Sequence, residues 1–328
     1  MRQGRDGSRS FGAATAKVSL MLAAMAALWA GACQPREPAP PRTDDSPPRP
    51  SLVVPGAVTV AVAEGYRYTQ GPARDRQGRL YFTDIPSNTI HRLDPTIGSI
   101  DLIRSASNAA NGLAWHPQLG LVICEQDRGR VARLDGAGRY EVLAARFNDR
   151  RFNGPNDLAV DARGGVYFSD PHFARPGPGP QPVEAVYYQA QPGGEIKRVA
   201  DDLTRPTGLA LSPDDAVLYI SDTTARIIYA APLKPDGTLG PLERFAEFDR
   251  DADGGPAGLT VDTEGRLYAA GQGHIWIFSP DGTLLERLAV PEPPSNCAFA
   301  GPENRDLFIT ARTSVYRIRL RSQGLAPD

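Results

Sequence analysis

The chain has 328 residues, 41% of them hydrophobic, which is enough for one large domain with a sizeable core. Its formal net charge is -2 and no basic block interrupts its body, so the electrostatics give no reason to expect nucleic acid as a partner. Three cysteines do not make a disulfide framework, and 33 Gly with 31 Pro suit many turns rather than long helices.

In chain order, Arg2, Arg5, Arg9 and Lys17 precede an apolar run from Val18 to Ala32. The run has the length of a signal-peptide core and is short for a bilayer span. It ends Ala30-Gly31-Ala32-Cys33. Small residues before Cys33 are similar to a bacterial lipobox, although Ala30 stands where Leu is usual. On that reading residues 1–33 are a signal peptide, Cys33 is lipidated, and the protein is a lipoprotein facing the periplasm. That anchor is its only expected membrane attachment. The competing reading is cleavage at an A-x-A site, which leaves a soluble periplasmic protein. Residues 34–55, rich in Pro with scattered charge, bury too little apolar surface to fold and read as an extended tether.

From residue 56 to 322 the chain repeats itself. Six openings carry a polar or small residue, usually a Gly, then small apolar residues: Gln70-Gly71-Pro72-Ala73, Asn111-Gly112-Leu113-Ala114, Asn156-Asp157-Leu158-Ala159, Thr207-Gly208-Leu209-Ala210, Ala257-Gly258-Leu259-Thr260 and Asn296-Cys297-Ala298-Phe299. They recur every 39 to 51 residues, the size of one propeller blade. Each is followed by a turn and a β-prone segment such as Gly78 to Asp84 or Ala216 to Asp222, and most by another such as Thr89 to Leu93 or His274 to Phe278. The pattern predicts an all-β, six-bladed β-propeller. The last repeat runs out after its third strand, and Val58 to Ala63 is expected to complete it and close the ring. If the openings begin the innermost strands, residues 70, 111, 156, 207, 257 and 296 form a ring around the central channel.

The segments G-P-N-D-L-A-V-D-A-R-G-G-V-Y-F-S-D-P (154–171), R-P-T-G-L-A-L-S-P-D-D (205–215) and P-S-N-C-A-F-A-G-P-E-N (294–304) carry a resemblance. From about Ala63 to Leu320 the chain resembles the senescence-marker-protein/gluconolactonase/luciferin-regenerating-enzyme family. The resemblance implies a six-bladed propeller whose members often hydrolyse lactones or related esters with one divalent cation, commonly calcium, in the channel. It implies cation ligands at the first, fourth and fifth openings, where the family usually has Glu, Asn and Asp. Here those positions are Gln70, Thr207 and Ala257. Asn111, Asn156 and Asn296 match the family's polar channel positions. Gln70, Asn156 and Thr207 are therefore the candidate metal ligands. Calcium seeks six to eight oxygens including carboxylates, so a set of neutral groups is expected to hold it weakly.

Other residues carry two readings each. Asp157 is a candidate catalytic base, but an Asp in such a corner more often caps the local turn. Asp84, Asp170 and Asp222 recur at one place, which argues for structural hydrogen bonding. Glu125 in I-C-E-Q-D-R and Arg128 after it are candidate substrate contacts with Asn111 and Asn296. Arg128 reads equally as an exposed turn residue, and Gln126 stands where the family often has His. His172 opens a loop rich in Pro and Gly, where it is a candidate general base over the channel mouth or an ordinary surface His. The family usually has Pro or Tyr there. Cys124 and Cys297 read as buried free thiols, and no Ser-His-Asp pattern, G-x-S-x-G elbow or phosphate-binding Gly fingerprint is present. Two functions follow. One is a gluconolactonase-like hydrolase acting on a lactone or sugar-derived ester in the channel. The other is a non-catalytic propeller binding a small polar ligand or a protein. A monomer is expected in either case.

Overall fold

The computed structural model describes residues 50–173 and 177–326. The apolar run, Cys33 and the tether up to Arg49 lie outside the described residues. Six four-stranded antiparallel sheets follow one another around a ring, as in a six-bladed propeller. Their innermost strands are Thr69–Arg74, Ala110–His116, Leu158–Val160, Pro206–Leu211, Leu259–Val261 and Pro294–Ala300. Each begins within two residues of one of the six sequence openings. The outermost strand of the sixth sheet is Val60–Glu64, which pairs with Ser314–Arg319 and joins the two ends of the repeat array. That closure removes the open edge a sixth sheet of three strands would expose.

The blades form because each strand alternates between two neighbours, and the core is divided accordingly into six interfaces. Ala73, Ile90 and Leu113 fill the gap between the first and second blades, and Cys124, Phe152 and Phe168 that between the second and third. Tyr167, Leu209 and Ile220 follow between the third and fourth, and Tyr219, Phe248 and Trp276 between the fourth and fifth. Tyr268, Phe299 and Ile309 pack between the fifth and sixth, while Phe82, Phe308 and Val315 return to the first. Each fully buried large side chain adds about 1.5–3 kcal/mol, so cohesion is spread evenly around the ring. The hairpins between first and second strands turn on Asp75, Asp161 and Asp262. In each, one carboxylate oxygen accepts two backbone N–H groups, and a Gly (78, 164 or 265) adopts φ near +80°.

Two features go beyond the sequence reading. Leu52 and Val53, placed by the sequence in the tether, pack against the interface of the fifth and sixth blades. Glu286 accepts the Leu52 N–H, and Val53 bridges to Leu320. In the third blade, the third strand is delayed to Ala185–Gln189 by the loop that His172 opens.

Candidate functional site at the channel ring

The six openings lie where consecutive blades touch, and hydroxyls stitch them together. Thr83 donates to the Asn111 carbonyl at 3.1 Å, Ser169 to Thr207 O at 2.6 Å, and Ser221 to Ala257 O at 2.6 Å. Ser295 closes the circuit to Thr69 O at 2.8 Å. Where the second strand has Cys124 in place of a hydroxyl, the Gly112 N–H bonds the Asn156 carbonyl instead. This close approach explains the Gly that follows the opening residue in four of the six blades. A Cβ on Gly258 would stand 1.9 Å from Asn296 Cγ, and one on Gly112 2.4 Å from Asp157 Oδ1. The sequence shows these hydroxyls as a recurrence, Thr83, Ser169, Ser221 and Thr310 each standing at or one residue before a strand end, but gives no sign of which carbonyls they reach.

The strand-end carboxylates pin the chain as it approaches the ring. Asp84 accepts the N–H groups of Arg67 and Tyr68, Asp170 those of Asn153 and Gly154, and Asp222 those of Thr204 and Arg205. Burial pushes the Asp170 carboxyl up to about 7 despite its two N–H donors. Glu125, at the same place in the second blade, behaves differently. Arg130 Nε donates to it at 2.6 Å, and Arg104 of the first blade stands 3.7 Å away. Its carboxylate joins the two blades from a fully buried position.

Asp157 is the outstanding group of the ring. It is buried, and its Oδ2 accepts the Asn296 Nδ2 at 3.1 Å, while Oδ1 accepts its neighbour Leu158 N–H at 3.0 Å. The third and sixth blades stand opposite each other in a ring of six, so this bond crosses the channel and forms a floor. Burial raises the Asp157 carboxyl to about 7, with hydrogen bonds from Leu158, Asn296 and Leu209 holding it down in part. The structure thus brings Asp157 and Asn296 together. Asn111 is beside them in the ring: its Nδ2 donates to Gln126 Oε1 at 3.2 Å, which leaves Oδ1 buried with no partner. The Asn156 side chain makes no hydrogen bond among the described residues.

The remaining candidates stand apart. His172 Nε2 lies 3.0 Å from the Gly177 carbonyl of its own loop. Arg128 is exposed and reaches Asn108 Oδ1 at 3.4 Å. Cys124 and Cys297 are buried free thiols whose burial, with Asp157 nearby, pushes them up from the ordinary thiol range.

The donor set answers whether calcium fits. Gln70 turns Oε1 onto its own Gly71 N–H at 2.8 Å. Thr207 Oγ1 lies 2.8 Å from Ser221 Oγ and 2.7 Å from Thr223 Oγ1. Ala257 has no donor atom. The uncommitted ring oxygens are the neutral amide oxygens of Asn111 and Asn156, and the single ring carboxylate is tied to Asn296 and Leu158. Among the described residues no three His, Cys, Asp or Glu side chains cluster as ligands. Gln70, Asn156 and Thr207 together do not meet calcium's demand for charged oxygens.

Residues 63–313 match the model of the SMP-30/Gluconolactonase/LRE-like region. A gluconolactonase of Zymomonas mobilis is 29% identical over 290 residues, covering 80% of this chain and 81% of the relative. A 6-deoxy-6-sulfogluconolactonase of Pseudomonas putida is 31% identical over 240 residues, covering 72% and 80%. The solved structure of a Xanthomonas campestris gluconolactonase superposes with a TM-score of 0.75 at 30% identity, over 82% of this chain and 91% of that one.

Proposed function

Since the chain belongs to the SMP-30/gluconolactonase/LRE-like family, we propose that it is a lactonase, hydrolysing a lactone or sugar-derived ester at the channel ring with Asp157 as its general base. The observation that carries the reading is a buried carboxylate, raised to about 7, that Asn296 of the opposite blade meets across the ring. Asp170 has the same raised value but gives both oxygens to backbone N–H groups of its own approach loop, whereas Asp157 is met across the ring by Asn296, where a base with a pKa near the working pH is most effective. The same point favours an enzyme over a binding module.

The chemistry follows from the groups present. Ionised Asp157 takes a proton from water as the water oxygen bonds to the lactone carbonyl carbon. Asn296 Nδ2 holds the carboxylate on the axis. The uncommitted Asn156 amide is the donor for the carbonyl oxygen as its negative charge develops. On collapse the carbon–oxygen bond of the ring ester breaks, and protonated Asp157 returns its proton to the leaving oxygen. The product is a hydroxy acid, and the base is regenerated. Asn111 Oδ1, locked in direction by Gln126, accepts a hydrogen bond from a substrate hydroxyl. This favours polyhydroxylated substrates, as do the names of the relatives.

The test is lactone hydrolysis by the full chain, followed by pH indicator, with D-glucono-1,5-lactone and a five-carbon lactone as substrates in the presence of chelator. Turnover well above the spontaneous rate, abolished in Asp157→Asn, is the expected result. A rate equal to the spontaneous one for both lactones, with and without added calcium, overturns the reading.

A further inference from the structure

The channel has a second mouth, at the far ends of the inner strands. There a cavity of about 800 Å³ is lined by all six blades, including Arg74, Trp115, Leu211, Thr260 and Phe299, and on one side by Leu325. None of the six ring residues lines it, and the Asp157–Asn296 bond separates the two mouths.

Arg74 is the unexplained group in this cavity. Its Nε is buried without a partner, and its side chain makes no hydrogen bond or ion pair among the described residues. The neighbouring carboxylate cannot serve it, because Asp75 is already spent on Arg79 and on the N–H groups of its own turn. Burial accordingly pulls the Arg74 guanidinium down from its ordinary value. An arginine held this way gains from an anion brought to it, and its planar fork matches a carboxylate. The half-buried Trp115 indole, with Leu211, Phe299 and Leu325, offers an apolar wall beside it.

The acidic groups of the lining limit what binds. Asp161 is neutralised by Arg163 and takes the Tyr188 hydroxyl. Asp215 is on the fourth blade, opposite Arg74 on the first. It accepts the Ala162 N–H through Oδ2 and leaves Oδ1 uncommitted. A hydrogen-bond donor at the far end of a ligand therefore has an acceptor, while a second negative charge is repelled.

We propose that this lower mouth is a second binding site, taking a small monocarboxylate with an apolar body and a hydroxyl at the end remote from the carboxylate. The carboxylate pairs with Arg74, the body lies against Trp115 and Phe299, and the hydroxyl faces Asp215.

4-Hydroxyphenylacetate has this form and serves as the probe. Titrated into the full chain by calorimetry, it is expected to bind one to one. Affinity falls at least tenfold in Arg74→Met and less in Arg74→Lys. It falls at least tenfold for the uncharged methyl ester, and it is unchanged in Asp157→Asn. No heat at millimolar probe, or equal affinity for wild type and Arg74→Met, overturns the proposal. Loss of binding in Asp157→Asn would place the probe at the ring and overturn it too. Unchanged lactone turnover and thermal midpoint in Arg74→Lys establish that the variant folds.

Discussion

The ring has two unlike halves. In the first, fourth and fifth blades, Gln70, Thr207 and Ala257 are either satisfied internally or inert: an amide folded onto its own backbone, a hydroxyl within a Ser–Thr–Thr chain, and a methyl. In the second, third and sixth blades, Asn111 keeps an unpartnered oxygen and Asp157 a carboxylate pushed to about 7, linked to Asn296 across the channel. The blades share one backbone plan, so the difference lies in the opening residues alone. It teaches that one backbone plan can leave different openings satisfied and unsatisfied, and that here the unsatisfied ones stand beside a carboxylate.

The sharpest way to break this contrast is Asp157→Asn. It keeps the shape and the volume but removes the proposed base. Loss of general-base catalysis is worth about 10²- to 10⁴-fold in rate, so kcat is expected to fall by that order. A variant with full activity would move the chemistry to the other half of the ring.

Acidity gives the next largest effect. The ionised form is the proposed base, so kcat/KM should rise about tenfold per pH unit below about 7 and level off above it. Stability runs the other way. The folded-state value lies above the ordinary aspartate value near 4, so the folded protein holds this proton more tightly than the unfolded chain. The stabilisation is complete below about pH 4 and is lost as pH rises through about 7. Asp157→Asn removes this contribution, and its thermal midpoint should fall less between pH 4 and 8 than that of wild type. Identical pH–stability curves would contradict the burial of the charge.

A smaller effect separates Asp157 from the carboxylates that only hold the frame. Asp222 is buried and accepts three backbone N–H groups, from Thr204, Arg205 and Ala225. Asp222→Ala leaves those donors unpaired at a cost of about 1–3 kcal/mol. The expected result is a lower thermal midpoint, with kcat changed much less than in Asp157→Asn. An equal loss of turnover would mean that approach-loop geometry governs the base.

These contrasts mark how far the sequence could be read. The six openings and their spacing carry the propeller, because an inner strand that must touch two neighbours favours Gly beside its polar residue, as at Gly71, Gly112, Gly208 and Gly258. The role of Asp84, Asp170 and Asp222 was also legible, since chemistry does not recur identically in three blades. Asp157 and Asp170 could not be told apart in reactivity from the sequence, because the bond from Asn296, 139 positions away in the chain, exists only once the ring closes. Glu125 illustrates the reverse. Its motif suggested substrate, but its charge is paired by Arg104 and Arg130, and Arg104 belongs to another blade. His172 stood out as a titratable residue, yet the contact it makes is to its own loop.

The smallest expected effect is the most discriminating for the silent half of the ring. A ligand that binds only the folded state raises stability by RT ln(1 + [L]/Kd), about 2.7 kcal/mol at a hundredfold excess over Kd. With Ala257 lacking a donor, and Gln70 and Thr207 committed elsewhere, millimolar calcium should leave the thermal midpoint and the calorimetric baseline of wild type unmoved. The combined variant Gln70→Glu, Thr207→Asn, Ala257→Asp adds two carboxylates and an amide to the amides of Asn111 and Asn156. It should acquire calcium binding by calorimetry and a calcium-dependent rise in midpoint. Because two new negative charges at the ring repel one another, the same variant should be less stable than wild type when calcium is removed. Calcium binding by wild type as tight as by the variant would mean that neutral oxygens suffice, and that the two halves of the ring act together on a cation.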